Sequence, residues 1–232
     1  MKTISNIVSG NLFSQLLTNP YIYKSPASAG FFITSMFRYF IIYKPYKTLS
    51  QFTSALNKKT LADYFSVPKN VYPVGRLDED SEGLLILTND KKLNHRLLNP
   101  AFEHEREYWV EVEGEINENA VMQMQQGLQL NIKSEIHHTK TSAVQIFDEP
   151  PKVAERIPPV RYRKNISTSW IKIILKEGKN RQVRKMTAAV GFPTLRLIRY
   201  RIEKIELQQM KPGDIIELSQ KSIYKKLFHE GV

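Results

Sequence analysis

The chain has 232 residues, 41% hydrophobic and 25% charged, a balance ordinary for a globular protein and one that excludes wholesale disorder. Thirty-four Lys and Arg against 23 Asp and Glu leave a net charge of +11, which favours a polyanionic partner, nucleic acid or an acidic membrane surface. The absence of cysteine excludes a disulfide scaffold, thiolate catalysis and a Cys-type zinc site, and it suits a reducing compartment.

Residues 1–35 stand apart: they hold no Asp or Glu, only Lys2 and Lys24 for charge, and six serines. Asn6, Asn11 and Gln15 interrupt what a signal peptide would need as an apolar stretch. The run from Ala29 to Tyr43 is broken by Thr34, Ser35 and Arg38, short of the ~20 apolar residues that cross a bilayer. Residues 1–35 are therefore expected to be an N-terminal extension, a loose arm or the product of an over-long gene model with its true start at Met36. A transit peptide is the alternative, although the segment lacks Arg.

From Met36 the aromatic and β-branched run to Tyr43 predicts a strand that ends at Lys44-Pro45. Gly75 to Asp90 reads as a charged loop feeding an apolar strand, Leu84 to Leu87, with a turn at Asn89-Asp90. Residues 107–113 alternate Tyr108, Val110 and Val112 against Trp109, Glu111 and Glu113, the period of a half-solvated strand. Residues 117–126 predict an amphipathic helix with Asn117 as N-cap and Gly127 past its end. Pro150-Pro151 and Pro158-Pro159 bracket a loop carrying Arg156, Arg161, Arg163 and Lys164. Ser169 to Lys176 alternates again with Ile171, Ile173 and Leu175 inward, and a second helix opens near Asn180 and stops at Gly191-Phe192-Pro193. Short strands with a few helices predict an α+β protein built on a mostly antiparallel sheet.

Three segments carry chemistry. Gly75-Arg76-Leu77-Asp78-Glu79-Asp80-Ser81-Glu82-Gly83 is either a solvated acidic turn or a site at the mouth of a buried strand. Asp78 and Asp80 could share a Mg²⁺ only if the backbone bends, because alternate residues of an extended strand point to opposite faces. In the segment from Lys176 to Met186, a helix from Asn180 puts Arg181, Arg184 and Lys185 on one face, either solvated or clamping phosphate. Gly178-Lys179 is no phosphate-binding P-loop, since its first glycine would fall at Ile173 and Asn180 replaces Ser/Thr. In Arg106-Glu107-Tyr108-Trp109-Val110, the tyrosine reads on its own as a core-edge residue.

Together, in this order, the three segments resemble the pseudouridine synthases of the ribosomal small- and large-subunit RNA type. Their blocks are G-R-L-D-x-x-S-x-G-L-L, K-x-Y-x-V and E-G-x-x-x-Q-V-[RK]-R/K-M. Gly191 to Arg199 extends the resemblance toward the E-type large-subunit branch, which looks to lack the S4-type RNA-binding module; residues 1–35, too short and too poor in basic residues, are not expected to form one. Arg106 stands where lysine is usual, and Ser167 where proline is expected. The resemblance implies a mostly antiparallel mixed sheet with helices flanking a basic cleft, over residues 36–218, followed by a basic tail at 219–232. It implies Asp78 as nucleophile, Tyr108 stacking on or deprotonating the target base, Arg184 ion-paired with Asp78, and Arg76 helping to expel the uridine. Phosphate contacts that would explain the charge are expected from Arg181, Lys185, Arg196, Arg199, Arg201 and the 156–164 loop. The implied partner is large-subunit (23S) ribosomal RNA or a ribosome precursor; no metal, organic cofactor or membrane is implied, a cytoplasmic location is expected, and nothing calls for more than a monomer. The competing readings are a non-catalytic RNA-binding assembly factor that keeps the fold, and a Mg²⁺-dependent nuclease using Asp78 and Asp80.

Overall fold

The structure, a computed structural model, describes residues 37–53, 57–161 and 166–229. The expectations for residues 1–35, for a start at Met36, and for Arg163 and Lys164 lie outside the described residues.

The predicted first strand forms as β1 (Tyr39–Lys44), buried at all six positions, the five of its apolar run and Lys44 after them. A short β2 (Tyr72–Pro73) and the seven-residue, fully buried β3 (Glu82–Thr88) follow. The Asn89-Asp90 turn proves to be the start of a helix, α1 (Lys91–Leu98). The Asp90 carboxylate accepts from the backbone N–H groups of Lys92 and Leu93 at 2.9 and 3.1 Å. β4 (Arg106–Glu113) and α2 (Glu118–Gln126) fall where the sequence places them, α2 with Asn117 as N-cap. A hairpin of β5 (Gln129–Ile132) and β6 (Glu135–His138) precedes β7 (Ala143–Ile146) and β8 (Thr168–Leu175). The last elements are α3 (Gln182–Ala189), β9 (Thr194–Ile202), β10 (Ile205–Glu206), β11 (Ile215–Leu218) and α4 (Gln220–Phe228). Residues 219–232, expected to be a basic tail, thus contain a helix that buries Ile223, Leu227 and Phe228. Its lysines face outward because the apolar positions fall at helical spacing.

The main sheet runs β11-β1-β3-β9-β4-β8-β7, with β2 on β3 and β10 on β9. Every pairing is antiparallel except β3 with β9, which gives the mostly antiparallel mixed sheet expected. Two apolar clusters flank that parallel seam. One, from β1, β3 and the loops beside them, includes Phe40, Ile42, Leu61, Phe65, Leu85 and Leu87. The other joins β4, β8, α2 and α3 through Val110, Val112, Ile171, Ile173, Met124 and Met186. At the seam Gly83 lies opposite Arg199, with φ +110°, and a Cβ there would stand 2.4 Å from the Arg199 carbonyl oxygen. Only glycine lets the two strands approach so closely. The glycine of the Ser81-Glu82-Gly83 step therefore joins the two halves of the sheet, directly behind the loop that carries Asp78.

Candidate active site

Asp78 sits on the loop between β2 and β3, where the chain turns sharply enough for the Ser81 amide to donate to the Asp78 carbonyl at 3.1 Å. The preceding residue is clasped on both sides. The buried Ser50 hydroxyl donates to the Leu77 carbonyl at 2.7 Å and accepts from the Leu77 amide at 3.0 Å. With its backbone fixed, Asp78 keeps a third of its side chain exposed, on the wall of a cleft of about 650 Å³. Arg76, Tyr108, Arg181 and Arg199 line the same cleft.

The cation beside Asp78 is Arg181, whose Nη1 lies 3.6 Å from Asp78 Oδ2. The Arg181 guanidinium also forks onto Asp80 at 3.0 and 2.8 Å. Arg184, expected to pair with Asp78, instead serves Asp80, donating from Nη2 to its carbonyl at 2.6 Å with Nε 3.4 Å from the carboxylate. The reason is local backbone. The helix begins at Gln182, and Arg181 is its N-cap with φ 52°, so the regular face imagined from Asn180 is broken before its first residue. Burial pushes the Asp80 carboxyl upward, but Arg181 and Arg184 outweigh it and hold the group below the usual carboxylate range. The bend that brings Asp78 and Asp80 to one side is real, yet the space they share is filled by a guanidinium. Among the described residues no three His, Asp or Glu side chains group as a metal site.

Tyr108 is buried on the cleft-facing side of β4, with Val110 and Val112 behind it in the core. The adjacent Arg106 braces the cleft rim, donating to the His104 carbonyl at 3.0 Å and the Leu97 carbonyl at 2.8 Å. Arg76 is exposed and has no hydrogen-bond partner among the described residues. Lys185 donates to the Asn131 carbonyl at 2.6 Å and so ties α3 to the β5–β6 hairpin.

The arginines of β9 correct the expected phosphate surface. Arg196 is buried and forks onto Glu82 at 2.8 and 3.0 Å, Arg201 binds Glu107 at 2.8 Å, and Arg199 is buried beside Tyr108. These side chains are engaged inside the sheet and its flanks, with Arg199 on the inner wall of the cleft. Arg156, in the expected basic loop, lies 4.1 Å over the Tyr46 ring and donates to the Pro158 carbonyl at 2.9 Å.

Two residues that matter carried no recognisable signal. Ser50 is one. The other is Lys44, the last residue of β1 and fully buried, whose ammonium donates to the Pro45 and Thr48 carbonyls at 3.0 and 2.7 Å. Burial brings it down to about 7, against the opposing pull of Glu82, Asp80 and Asp78. A lysine at the end of an apolar strand normally reads as a solvated terminus, and only the fold shows it turned inward.

Residues 38–189 match the sequence model of the RNA pseudouridylate synthase family. "Ribosomal large subunit pseudouridine synthase E" of Vibrio parahaemolyticus is 47% identical over 178 residues, 77% of this chain and 72% of that protein. The protein of the same name from Xanthomonas axonopodis pv. citri is 45% identical over 174 residues, 74% of this chain and 89% of that one. A solved structure described as a pseudouridylate synthase superposes with TM-score 0.67 at 25% identity, covering 82% of this chain and 74% of its own. Among the described residues no helix is long and apolar enough to cross a membrane. An ionisable acid held at a cleft wall beside a guanidinium, on a sheet of this topology and in a chain this similar to named synthases, has one family to belong to: the chain is a member of the RNA pseudouridine synthase family.

Proposed function

We propose that this protein isomerises a uridine of large-subunit ribosomal RNA to pseudouridine, with Asp78 as the nucleophile. The observation that carries the reading is the placement of Asp78, backbone-clamped by Ser50 through Leu77 and flanked by Arg181 at 3.6 Å, in a cleft that also holds Tyr108. The names of the relatives supply the substrate class.

The reaction breaks the N1–C1′ bond, turns the base, joins C5 to C1′, and moves one proton from C5 to N1. It is redox-neutral and needs no energy source. A carboxylate that bonds transiently to the sugar or base carbon divides one hard step into easier ones. Arg181, 3.6 Å away, sets a guanidinium beside the carboxylate and restricts its rotamer. The target base must leave its stack to enter the cleft, at a cost of a few kcal/mol, and Arg76, exposed on the cleft wall, is the residue we assign to contact RNA as it does so. The C5 proton needs an acceptor, and Tyr108 brings a phenol to that wall.

The test is tritium release from ribosomal RNA labelled at C5 of uridine, in EDTA, for wild type and Asp78→Asn. Release by wild type and none by the variant, with RNA affinity retained, is the expected result. No release by wild type on mature or precursor RNA, with tight binding, would overturn it in favour of a non-catalytic assembly factor. Loss of binding in Asp78→Asn would show the residue to be structural.

A further inference from the structure

Arg196 and Arg199 lie three residues apart on β9 and serve opposite faces of the sheet. Both are buried, but only one is neutralised. Arg196 is held in a bidentate pair with Glu82, and its Nη2 also donates to the Ala154 carbonyl at 2.8 Å. Among the described residues Arg199 has no carboxylate: its Nε donates to the Leu84 carbonyl at 2.8 Å, and its buried Nη2 finds no hydrogen-bond partner among them. A buried guanidinium without a counter-charge is costly and needs a reason.

What faces it is Tyr108. The β4–β9 ladder carries an irregularity between Glu107 and Tyr108. Glu107 pairs with Arg201, and the next residue, Tyr108, pairs with Arg199 and skips Tyr200. In a regular ladder Tyr108 would sit opposite Tyr200, and Arg199 would stand off from the phenol. The bulge re-aims one side chain beside another, a device common next to active sites. Burial pulls the Arg199 guanidinium below its usual range, and the Tyr108 hydroxyl is the group that favours its charge. Arg106 of β4 and Lys44 of β1 repel the Arg199 charge, and the cleft wall also carries Asp78, His104, Glu177, Arg76 and Arg181.

We propose that Arg199 is a positioning residue for Tyr108, holding a fixed positive charge beside its hydroxyl so that the phenolate can accept the proton leaving C5. The inference rests on the cleft being the site of uridine isomerisation. The step balances. Tyr108 first gives its phenolic proton to solvent; the C5–H electron pair then stays on the ring and restores the C5=C6 bond, the phenolate takes the C5 proton and is a phenol again, and N1 gains a proton from solvent. The buried charge is thereby matched to a negative charge that exists only during turnover, which is why no carboxylate fills the place.

The experiment measures single-turnover rates and RNA affinity from pH 6.5 to 9.5 for wild type, Tyr108→Phe, Arg199→Gln, Arg199→Met and Arg199→Lys. The two neutral variants should lose about 100-fold in rate at pH 7, at the low end of a general base's contribution, with the loss shrinking as pH rises. Their RNA affinity should stay within about twofold, because a buried side chain touches no phosphate. Arg199→Lys, which keeps the charge, should stay within about fivefold of wild type at pH 7. If neither neutral variant folds by near-UV circular dichroism, the Lys variant decides, since a purely geometric role would bring it down with them. Neutral variants at wild-type rate beside a slow Tyr108→Phe would overturn the inference alone. So would a loss independent of pH and not rescued by Lys, or a loss of affinity without loss of rate at saturation. Wild-type rates in Tyr108→Phe would overturn the reading of Tyr108 as acceptor, and the inference with it.

Discussion

Replacing Lys44 by Met should change how stability depends on pH, by an amount the structure fixes. The ammonium is fully buried at the end of β1, and its value falls from 10.5 to about 7 on folding. Between those two values the unfolded chain binds a proton that the folded chain has given up, so stability rises with pH there, by at most about 1.4 kcal/mol per pH unit. Below about pH 7 both states are protonated and the full cost of the buried charge is present. Lys44→Met removes that titration. It also leaves the Pro45 and Thr48 carbonyls without their donor, about 1–3 kcal/mol each, a loss that does not vary with pH. The variant should therefore lose ground to wild type as pH rises, by about 3 kcal/mol between pH 7 and 9.5. Tyr39 and Tyr43, both raised by burial, titrate alike in both proteins and cancel. Urea unfolding at four pH values measures the difference directly. Parallel stability curves for the two proteins would show that Lys44 stays protonated in the fold, and would refute its assignment as a desolvated lysine.

Four other perturbations separate roles that the sequence runs together. Glu82→Gln leaves Arg196 buried without its counter-charge and should cost about 3 kcal/mol, lowering Tm by about 6–12 °C, with part of the loss recovered by adding Arg196→Met. Gly83→Ala should prevent soluble expression or cost more than about 3 kcal/mol, because its Cβ meets backbone 2.4 Å away at φ +110°. Arg76→Ala should weaken RNA binding with a salt slope smaller by about one. Arg181→Ala, whose charge is held by Asp80 and Asp78, should lose about 100-fold in rate with a nearly unchanged slope. A reduced slope for Arg181→Ala would mean that it contacts phosphate in the complex.

Elements whose signals are local were legible in the sequence, down to single residues. α2 was, because Asn117 caps it and Gly127 ends it, and so were β4 and β8, because each buries every second side chain on the core face. α1 was missed because Asp90 reads equally as a turn residue and as an N-cap, and only the amides of Lys92 and Leu93 decide. α3 starts two residues late because Arg181 takes a left-handed conformation that its side-chain type does not announce. For the site, the blocks bring Asp78, Tyr108 and Arg181 to one cleft, and the guanidinium beside Asp78 is that of Arg181, three residues before Arg184 on the same basic run.

Charge was the feature most open to misreading. A net +11 with three arginines along Leu195–Ile202 looks like a surface prepared for phosphate, yet all three are placed by partners far away in sequence. Arg196 answers Glu82, Arg199 lies beside Tyr108 and under the Leu84 carbonyl, and Arg201 answers Glu107. Those separations run from 91 to 115 residues, beyond the reach of any periodicity argument, and the bulge that selects Arg199 over Tyr200 has no sequence signature of its own. What decides whether an arginine binds RNA or organises the site is whether the fold supplies a negative group first. On β9 the fold supplies a carboxylate to Arg196 and to Arg201, and gives Arg199 only a phenol. That exception is the reason to look for the work of Arg199 in the chemistry rather than in the packing.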